Sequence, residues 1–249
     1  MNAIGLVALR ELKDHWRNPG VILGALGFYV LIEVLFVSLF GFVGILAEQP
    51  EMMLALGIAG KEELGFQILT GYNSYVVLEP MTLATILGVY GLINDRENST
   101  FAFLLLSPIS RWQLILGKTL GCSAIPIGLH VVIGTLQAFS ISRFEVTQSH
   151  PELLPFSVTW FVGFILSTGL WTLVAAALSV LIGGLIRDVR SAHSVGSVIT
   201  FVLLVPAGGA VAYLLGDLLP QLGLMVLAVF CLAILVGLGQ LVISRDVSR

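Results

Sequence analysis

The sequence predicts an all-α, polytopic membrane protein: six transmembrane helices preceded by an interfacial helix. Three observations predict this class. Of 249 residues, 57% are hydrophobic and only 11% are charged, the mean hydropathy is +1.00, and the apolar residues gather in long stretches. Soluble domains carry about 25% charged residues, so this composition cannot supply a water-exposed surface. The net charge is −3, and the sequence contains no cluster of basic residues that could follow a phosphate backbone. Nucleic acid is therefore not an expected partner.

The first element is an amphipathic helix at about residues 3–17. Its apolar side carries Ile4, Ala8, Leu9, Leu12 and Trp16, and its polar side carries Arg10, Glu11, Lys13, Asp14 and Arg17. The sequence Asn18-Pro19-Gly20 then breaks the helix. A basic amphipathic helix with a tryptophan lies in the membrane interface rather than across it.

Six apolar stretches are long enough to cross about 30 Å of hydrocarbon. They lie at about 21–46, 74–93, 119–140, 159–183, 195–216 and 222–243, with ends uncertain by a few residues. The first is far longer than the apolar region of a cleavable signal. No linker or internal repeat divides the chain, so we expect residues 1–249 to form one transmembrane domain.

The distribution of basic residues predicts the orientation. All of the 12 basic residues except Lys61 and Arg143 fall on one side of the six stretches. The side with Lys61 and Arg143 also carries the acids Glu48, Glu51, Glu62, Glu63, Glu145, Glu152 and Asp217. By the positive-inside rule the basic side is cytoplasmic. Both termini are then cytoplasmic in a multi-pass protein of the cell membrane, as an even number of crossings requires.

The segment between the second and third crossings, residues 94–121, is too structured for a plain loop. Asn94 or Ser99 can cap a short helix that carries Phe101, Phe103, Leu104, Leu105 and Leu106. Pro108 must end it, because proline disfavours helical geometry in the preceding residue. Ser110 and Gln113 form a capping box for a new helix. A short apolar helix on the cytoplasmic side is a docking surface, or part of a core that needs a partner.

This segment resembles the signature loop of ABC-2-type transporter permeases. The residues that match the loop motif are Arg96, Glu97, Thr100, Leu104, Leu105, Pro108, Ile109, Arg111, Gly117 and Lys118. Ser99 stands where the family has glycine, Phe101 replaces leucine and Ala102 replaces a second glutamate. The interfacial helix, the six crossings and the cytoplasmic termini also fit this family. Through "PISRWQLILGK" the chain is similar to the half-permeases of nitrous-oxide-reductase maturation.

The resemblance implies a partnership with a separate cytoplasmic ATPase. That ATPase dimer would bind ATP and magnesium and would dock on this loop. The permease would pair with a second copy or a related chain, surrounded by membrane lipid. The loop residues expected to take part are Arg96, Glu97, Thr100, Phe101, Phe103, Leu105, Pro108 and Arg111. Consistently, the chain has no G-x-x-x-x-G-K-[ST] phosphate cradle, so we expect neither a nucleotide cofactor nor ATPase activity in this subunit.

A second cytoplasmic loop offers Arg187, Asp188 and Arg190 as a further contact with the ATPase. An equally open interpretation is that these residues are only positive-inside anchors.

Enzyme and metal motifs are missing from the sequence. Gln67 stands where a di-glutamate intramembrane protease would need arginine after Glu62 and Glu63. No nucleophile elbow and no His-Glu-x-x-His helix occurs. Cys122 and Cys231 are far apart in the chain and are expected to be packing thiols without a metal.

Three ionisable residues fall inside predicted crossings: Glu33, Glu79 and His130. A charge at bilayer depth is costly, so each is a candidate for the translocation pathway or the dimer seam. The alternative for each is a neutral, internally hydrogen-bonded structural role. Pro80 can kink the second crossing beside Glu79.

The predicted function is the permease subunit of an ABC-2-type exporter. Two alternatives stay open at this point. An ion-gradient-driven secondary transporter would use Glu33 and Glu79 as proton sites and would need no ATPase. A mechanotransmitting scaffold would pass ATPase motion to an extracytoplasmic partner without moving a substrate.

Overall fold

The structure of the protein is a computed structural model. It describes residues 2–18, 48–98, 100–142, 163–186 and 218–247, together with positions scattered between 20 and 45, residues 160–161, and positions 191, 194 and 198. Every regular element in these residues is helical, which confirms the all-α fold class. The helices are α1 (Ala3–Arg17), α2 (Pro50–Ala55), α3 (Lys61–Glu97), α4 (Thr100–Leu106), α5 (Arg111–Ile141), a π-helical stretch (Gly163–Ser167) that leads into α6 (Thr168–Leu185), and α7 (Leu218–Val247).

Helix α1 has the bounds that the sequence predicted for the first helix, and local chemistry explains both of its ends. The Asn2 side chain accepts a hydrogen bond from the Ile4 N–H at 3.1 Å, which satisfies one of the free amides of the first turn. At the other end Asn18 takes an extended backbone conformation. Leu9 and Trp16 are exposed on the apolar side, as expected for side chains that meet lipid.

Helix α3 is much longer than the crossing of 74–93 that the sequence predicted. Its 37 residues span about 55 Å at 1.5 Å per residue, with Pro80 inside the helix. Helix α2 lies at its beginning, where Met53, Ile58 and Leu64 form a small buried cluster. Helix α4 follows its end. The two short helices therefore lie at opposite ends of α3, farther apart than the thickness of a bilayer core.

Three helical segments are long and apolar enough to cross a membrane among the residues that the structure describes. They are Arg111–Phe139, Gly163–Leu185 and Leu222–Leu241, with mean hydropathies of 1.6, 2.1 and 2.8. These correspond to the predicted third, fourth and sixth crossings. The predicted second crossing lies within α3, which is not among these three segments. The predicted first and fifth crossings lie largely outside the described residues, so the count of six stays a prediction.

The core lies where α3, α5, α6 and α7 pack together. Helices α3 and α6 approach closely at Gly88, where a Cβ would come 2.7 Å from the Cβ of Ser179. Beside them the rings of Trp160 and Phe164 stack 4.4 Å apart. In contrast, only 17% of the most apolar stretch of α7 is buried. Helix α7 therefore presents most of its apolar surface to lipid or to another protein.

Candidate functional site

Helices α1, α3 and α5 meet at one end of the bundle because glycines let their backbones approach. Gly117 and Gly121 lie four residues apart on α5, the small-xxx-small spacing that allows close helix packing in membranes. A Cβ at Gly117 would lie 2.5 Å from the Cβ of Val7, and one at Gly121 would lie 2.9 Å from the carbonyl oxygen of Ala8. Helix α1 thus rests directly on the backbone of α5.

The same packing encloses an acidic side chain of α1. Glu11 is only 5% exposed, and a Cβ at Gly91 of α3 would overlap its Oε1. A Cβ at Gly121 would also approach the Glu11 Cβ to 2.5 Å. Glycines on two helices therefore make the space that this carboxylate occupies.

A buried charge network connects the three helices. The Lys118 Nζ lies 2.7 Å from Glu11 Oε2 and 2.7 Å from Asp95 Oδ2, and it donates to the Gly91 carbonyl at 3.3 Å. Arg10 Nη2 donates to Asp95 Oδ1 at 2.8 Å. Two cations and two carboxylates thus balance each other. The pairing is essential, because an isolated buried charge is strongly destabilising.

Two further polar side chains lie against Glu11. His15, one turn along α1, places its Nε2 3.6 Å from Glu11 Oε1. The Sγ of Cys122 on α5 lies 3.5 Å from His15 Nε2 and 3.7 Å from Glu11 Oε1. Burial lowers the pKa of His15 below its ordinary value of 6.5, although the Glu11 carboxylate acts in the opposite direction. The imidazole is accordingly neutral near pH 7.

Sequence reasoning missed this network. It placed Arg10 and Glu11 on the polar side of α1 without a partner, used Lys118 only as the end of the loop motif, and treated Cys122 as a packing thiol. A usable signal was present: Glu11 and His15 are four residues apart on the face that also carries Val7, and Gly117 and Gly121 have the same spacing on α5. Two faces with this spacing can pack together.

The predicted loop has the helix break and restart that its sequence indicated. Asn94 lies inside α3, so it does not cap the short helix, and Ser99 lies outside the described residues. Helix α4 ends at Leu106, just before Ser107 and Pro108, and α5 begins at Arg111. The Ser110 N–H donates to Gln113 Oε1 at 3.0 Å. This is one of the two hydrogen bonds of the predicted capping box, the one from the N-cap backbone to the side chain three residues later.

The inward side of this loop is anchored by Arg96. Its guanidinium donates to the carbonyl oxygens of Gly183, Gly184 and Ile186 at 2.9, 2.8 and 3.2 Å. These carbonyls belong to the last turn of α6 and to Ile186, which follows it, where no intrahelical donor remains for them. The guanidinium also lies 5.3 Å from the ring centroid of buried Phe101. Arg96 and Phe101 therefore join the loop to α6.

The outward side of the loop is apolar and exposed. Phe103 is 72% exposed and Leu106 is 83% exposed, and Glu97, Pro108 and Arg111 are exposed beside them. Thr100 is half-buried, and its Oγ1 donates to the Asp95 carbonyl at 3.3 Å. Leu105 is helical, but its side chain lies outside the described part of the chain.

The structure describes only part of the remaining predicted site residues. Arg187, Asp188, Arg190 and Glu33 lie outside the described residues. Glu79 is buried on α3, about 24 Å along that helix from Asp95. His130 is buried on α5 with its ring 4.3 Å from that of Phe164, about 18 Å along the helix from Lys118. Glu79 and His130 are therefore separate from the charge network.

Comparison with known proteins gives one family. The model of the family described as ABC-2 family transporter protein matches residues 6–230, which is nearly the whole chain. No curated protein matches it.

Proposed function

Because the chain belongs to the ABC-2 family of transporters and is the permease subunit of an ABC transporter, we propose that it couples ATP hydrolysis in a separate cytoplasmic ATPase to export. Family membership implies both the ABC ATPase partner and a place in the membrane. In the proposed arrangement the membrane is the cell membrane and both termini are cytoplasmic. ATP and magnesium bind to the ATPase dimer, and a second permease copy completes the transporter.

The observation that carries this proposal is the two-sided loop at the end of α3. One side is held to the bundle by Arg96 and Phe101, while Phe103 and Leu106 leave an apolar surface exposed. A surface of this kind marks a protein interaction site. A docked ATPase would therefore press on a helix that is already fixed to the membrane domain.

Movement of α4 has two routes into the membrane domain. Arg96 connects the loop to the end of α6, next to the predicted second contact of Arg187, Asp188 and Arg190. Asp95, one residue earlier, connects it through Lys118 to α5 and through Arg10 to α1. Because charge-assisted hydrogen bonds are short and directional, these contacts transmit displacement better than apolar packing alone.

Replacing Leu106 with aspartate tests the docking surface. Docking would bury an unpaired carboxylate at a cost of several kcal/mol, and each 1.4 kcal/mol is tenfold in affinity. We expect capture of the ATPase by the purified permease to fall at least about 10-fold. Pull-down from membranes that contain both subunits measures it.

Leu54→Asp is the matched control, because Leu54 is 75% exposed on α2 at the opposite end of α3. It should leave ATPase capture unchanged. Equal capture by the Leu106→Asp and Leu54→Asp variants would exclude α4 as the docking site. A wild-type permease that captures no ATPase would instead favour the secondary transporter.

Replacing Pro108 with alanine tests transmission separately from docking. The substitution removes the break between α4 and α5 and allows the two helices to join. Since the exposed side of α4 is unchanged, we expect wild-type ATPase capture and basal hydrolysis, with less transport for each ATP hydrolysed. Reconstituted vesicles give both rates. Unchanged transport per ATP would show that the break is not needed for coupling.

A further inference from the structure

We propose that Glu11, His15 and Cys122 form a binding site for a divalent metal ion of the zinc class, which joins helix α1 to helix α5. The site lies on the side of the Glu11 carboxylate that faces away from Lys118. None of its three ligands comes from the ATPase partner. All three residues are buried, and each has one donor atom directed at the other two.

The spacing of the three donor atoms fits a tetrahedral ion. Zinc bonds of about 2.0–2.3 Å to nitrogen, oxygen and sulfur give tetrahedral edges of roughly 3.3–3.6 Å. The distances are 3.5 Å between Cys122 Sγ and His15 Nε2, 3.6 Å between His15 Nε2 and Glu11 Oε1, and 3.7 Å between Sγ and Oε1. A shift of a few tenths of an ångström by the Glu11 carboxylate, which makes both of the longer distances, brings all three into the coordination range.

The donor set selects the kind of ion. One thiolate, one imidazole and one carboxylate suit zinc and related borderline ions, whereas magnesium and calcium prefer oxygen ligands alone. When the ion binds, the Cys122 S–H bond breaks, its proton passes to solvent, and the sulfur electron pair forms the bond to the metal.

The charge network supports the ligand carboxylate from behind. Lys118 Nζ contacts Glu11 Oε2, so Oε1 is left to face His15 and Cys122. Supporting contacts of this kind orient a ligand, and losing one typically weakens metal binding about 10- to 100-fold. The same Lys118 also binds Asp95, so the ion would be connected through two side chains to the end of α3.

A simpler arrangement makes a different prediction. The Cys122 thiol also lies 3.6 Å from the Leu87 carbonyl, so it can stay protonated as a weak donor within the bundle. In that case sulfur would never bond to an added ion. The state of the sulfur therefore distinguishes the two.

The test uses the full-length permease in detergent, stripped with a chelator and then titrated with Co²⁺ as a spectroscopic substitute for Zn²⁺. We expect one Co²⁺ per chain, with a thiolate charge-transfer band and the intense visible bands of tetrahedral cobalt, and competition by Zn²⁺ should abolish both. If the wild-type protein binds Co²⁺ without a thiolate band, or binds none, the proposal is wrong.

Two variants locate the site. Cys122→Ser should remove the thiolate band. Loss of a residue that only supports a ligand weakens metal binding by at most roughly 100-fold. His15→Gln removes a ligand itself, so it should weaken Co²⁺ binding by more than that. Cys231→Ser is the matched control, since it removes the other free cysteine and should leave the spectrum unchanged. Size-exclusion chromatography confirms that each variant is folded. A thiolate band that persists in Cys122→Ser and disappears in Cys231→Ser would place the ion elsewhere and overturn the assignment.

Discussion

Lys118 is the residue on which the charge network depends. Its ammonium is 1% exposed and lies between two carboxylates on different helices. Replacing it with methionine keeps most of the side-chain volume but leaves Glu11 and Asp95 with only Arg10 to balance them. Removing one partner of a buried ion pair costs about 3–5 kcal/mol. We therefore expect a clear fall in the thermal unfolding midpoint in detergent.

Two further variants separate charge from packing. Lys13→Met makes the same substitution at an exposed position of α1 and should change the midpoint little. The double variant Glu11→Gln with Lys118→Met restores neutrality, because Arg10 still balances Asp95. It should be more stable than Lys118→Met alone. Additive losses in the double variant would show that the side chains contribute independently.

The partners of Lys118 explain why the sequence did not predict the network. Glu11 is 107 residues away in the chain and Gly91 is 27 residues away. The spacing on α1 and on α5 indicates a packing face on each helix, but no local pattern shows which faces meet. Only the packed arrangement of α1, α3 and α5 does. The motif that contains Lys118 showed that the position matters, but it did not show what the ammonium contacts.

At the scale of the helix, the packing of α1 on α5 depends on Gly121. An alanine there would place its Cβ 2.5 Å from the Glu11 Cβ and 2.9 Å from the Ala8 carbonyl, too close for contact with a backbone. Overpacking of this kind typically costs about 1–3 kcal/mol. We expect Gly121→Ala to lower the thermal midpoint and to make α1 more accessible to protease.

Gly128→Ala provides the comparison on the same helix, since nothing lies within 4 Å of a Cβ at that position. Alanine also has the higher helix propensity, so this variant should be neutral or slightly stabilising. If both variants behave alike, α1 does not rest on α5 as described.

Helices with local end signals were predicted well, and those without them were not. The Asn18-Pro19-Gly20 break after α1, the proline after α4 and the Ser110–Gln113 box before α5 each act within a few residues, so the sequence shows them directly. Helix α3 was predicted too short because hydropathy detects only its apolar part. Its first turns carry Lys61, Glu62 and Glu63, which are compatible with a helix but not with a hydrophobic stretch.

At the scale of the whole molecule, α3 connects two ends with different chemistry. The α2 end exposes Met52, Leu54 and Leu56 beside acidic residues. The α4 end gathers Arg10, Arg96 and Lys118 around Asp95 and the end of α6. This concentration of basic residues at one end agrees with the positive-inside rule. It supports a cytoplasmic position for α1 and for the loop.

Cysteines placed at the two ends of α3 test this orientation. Glu62 and Glu97 belong to one continuous helix, about 52 Å apart along its axis, so the membrane must separate them if α3 crosses it. In a background without Cys122 and Cys231, a cysteine at position 62 should react with an impermeant thiol reagent in intact cells. A cysteine at position 97 should react only after the cells are permeabilised. Labelling of position 97 from outside would place α4 beyond the reach of a cytoplasmic ATPase, and the proposed coupling could then not operate.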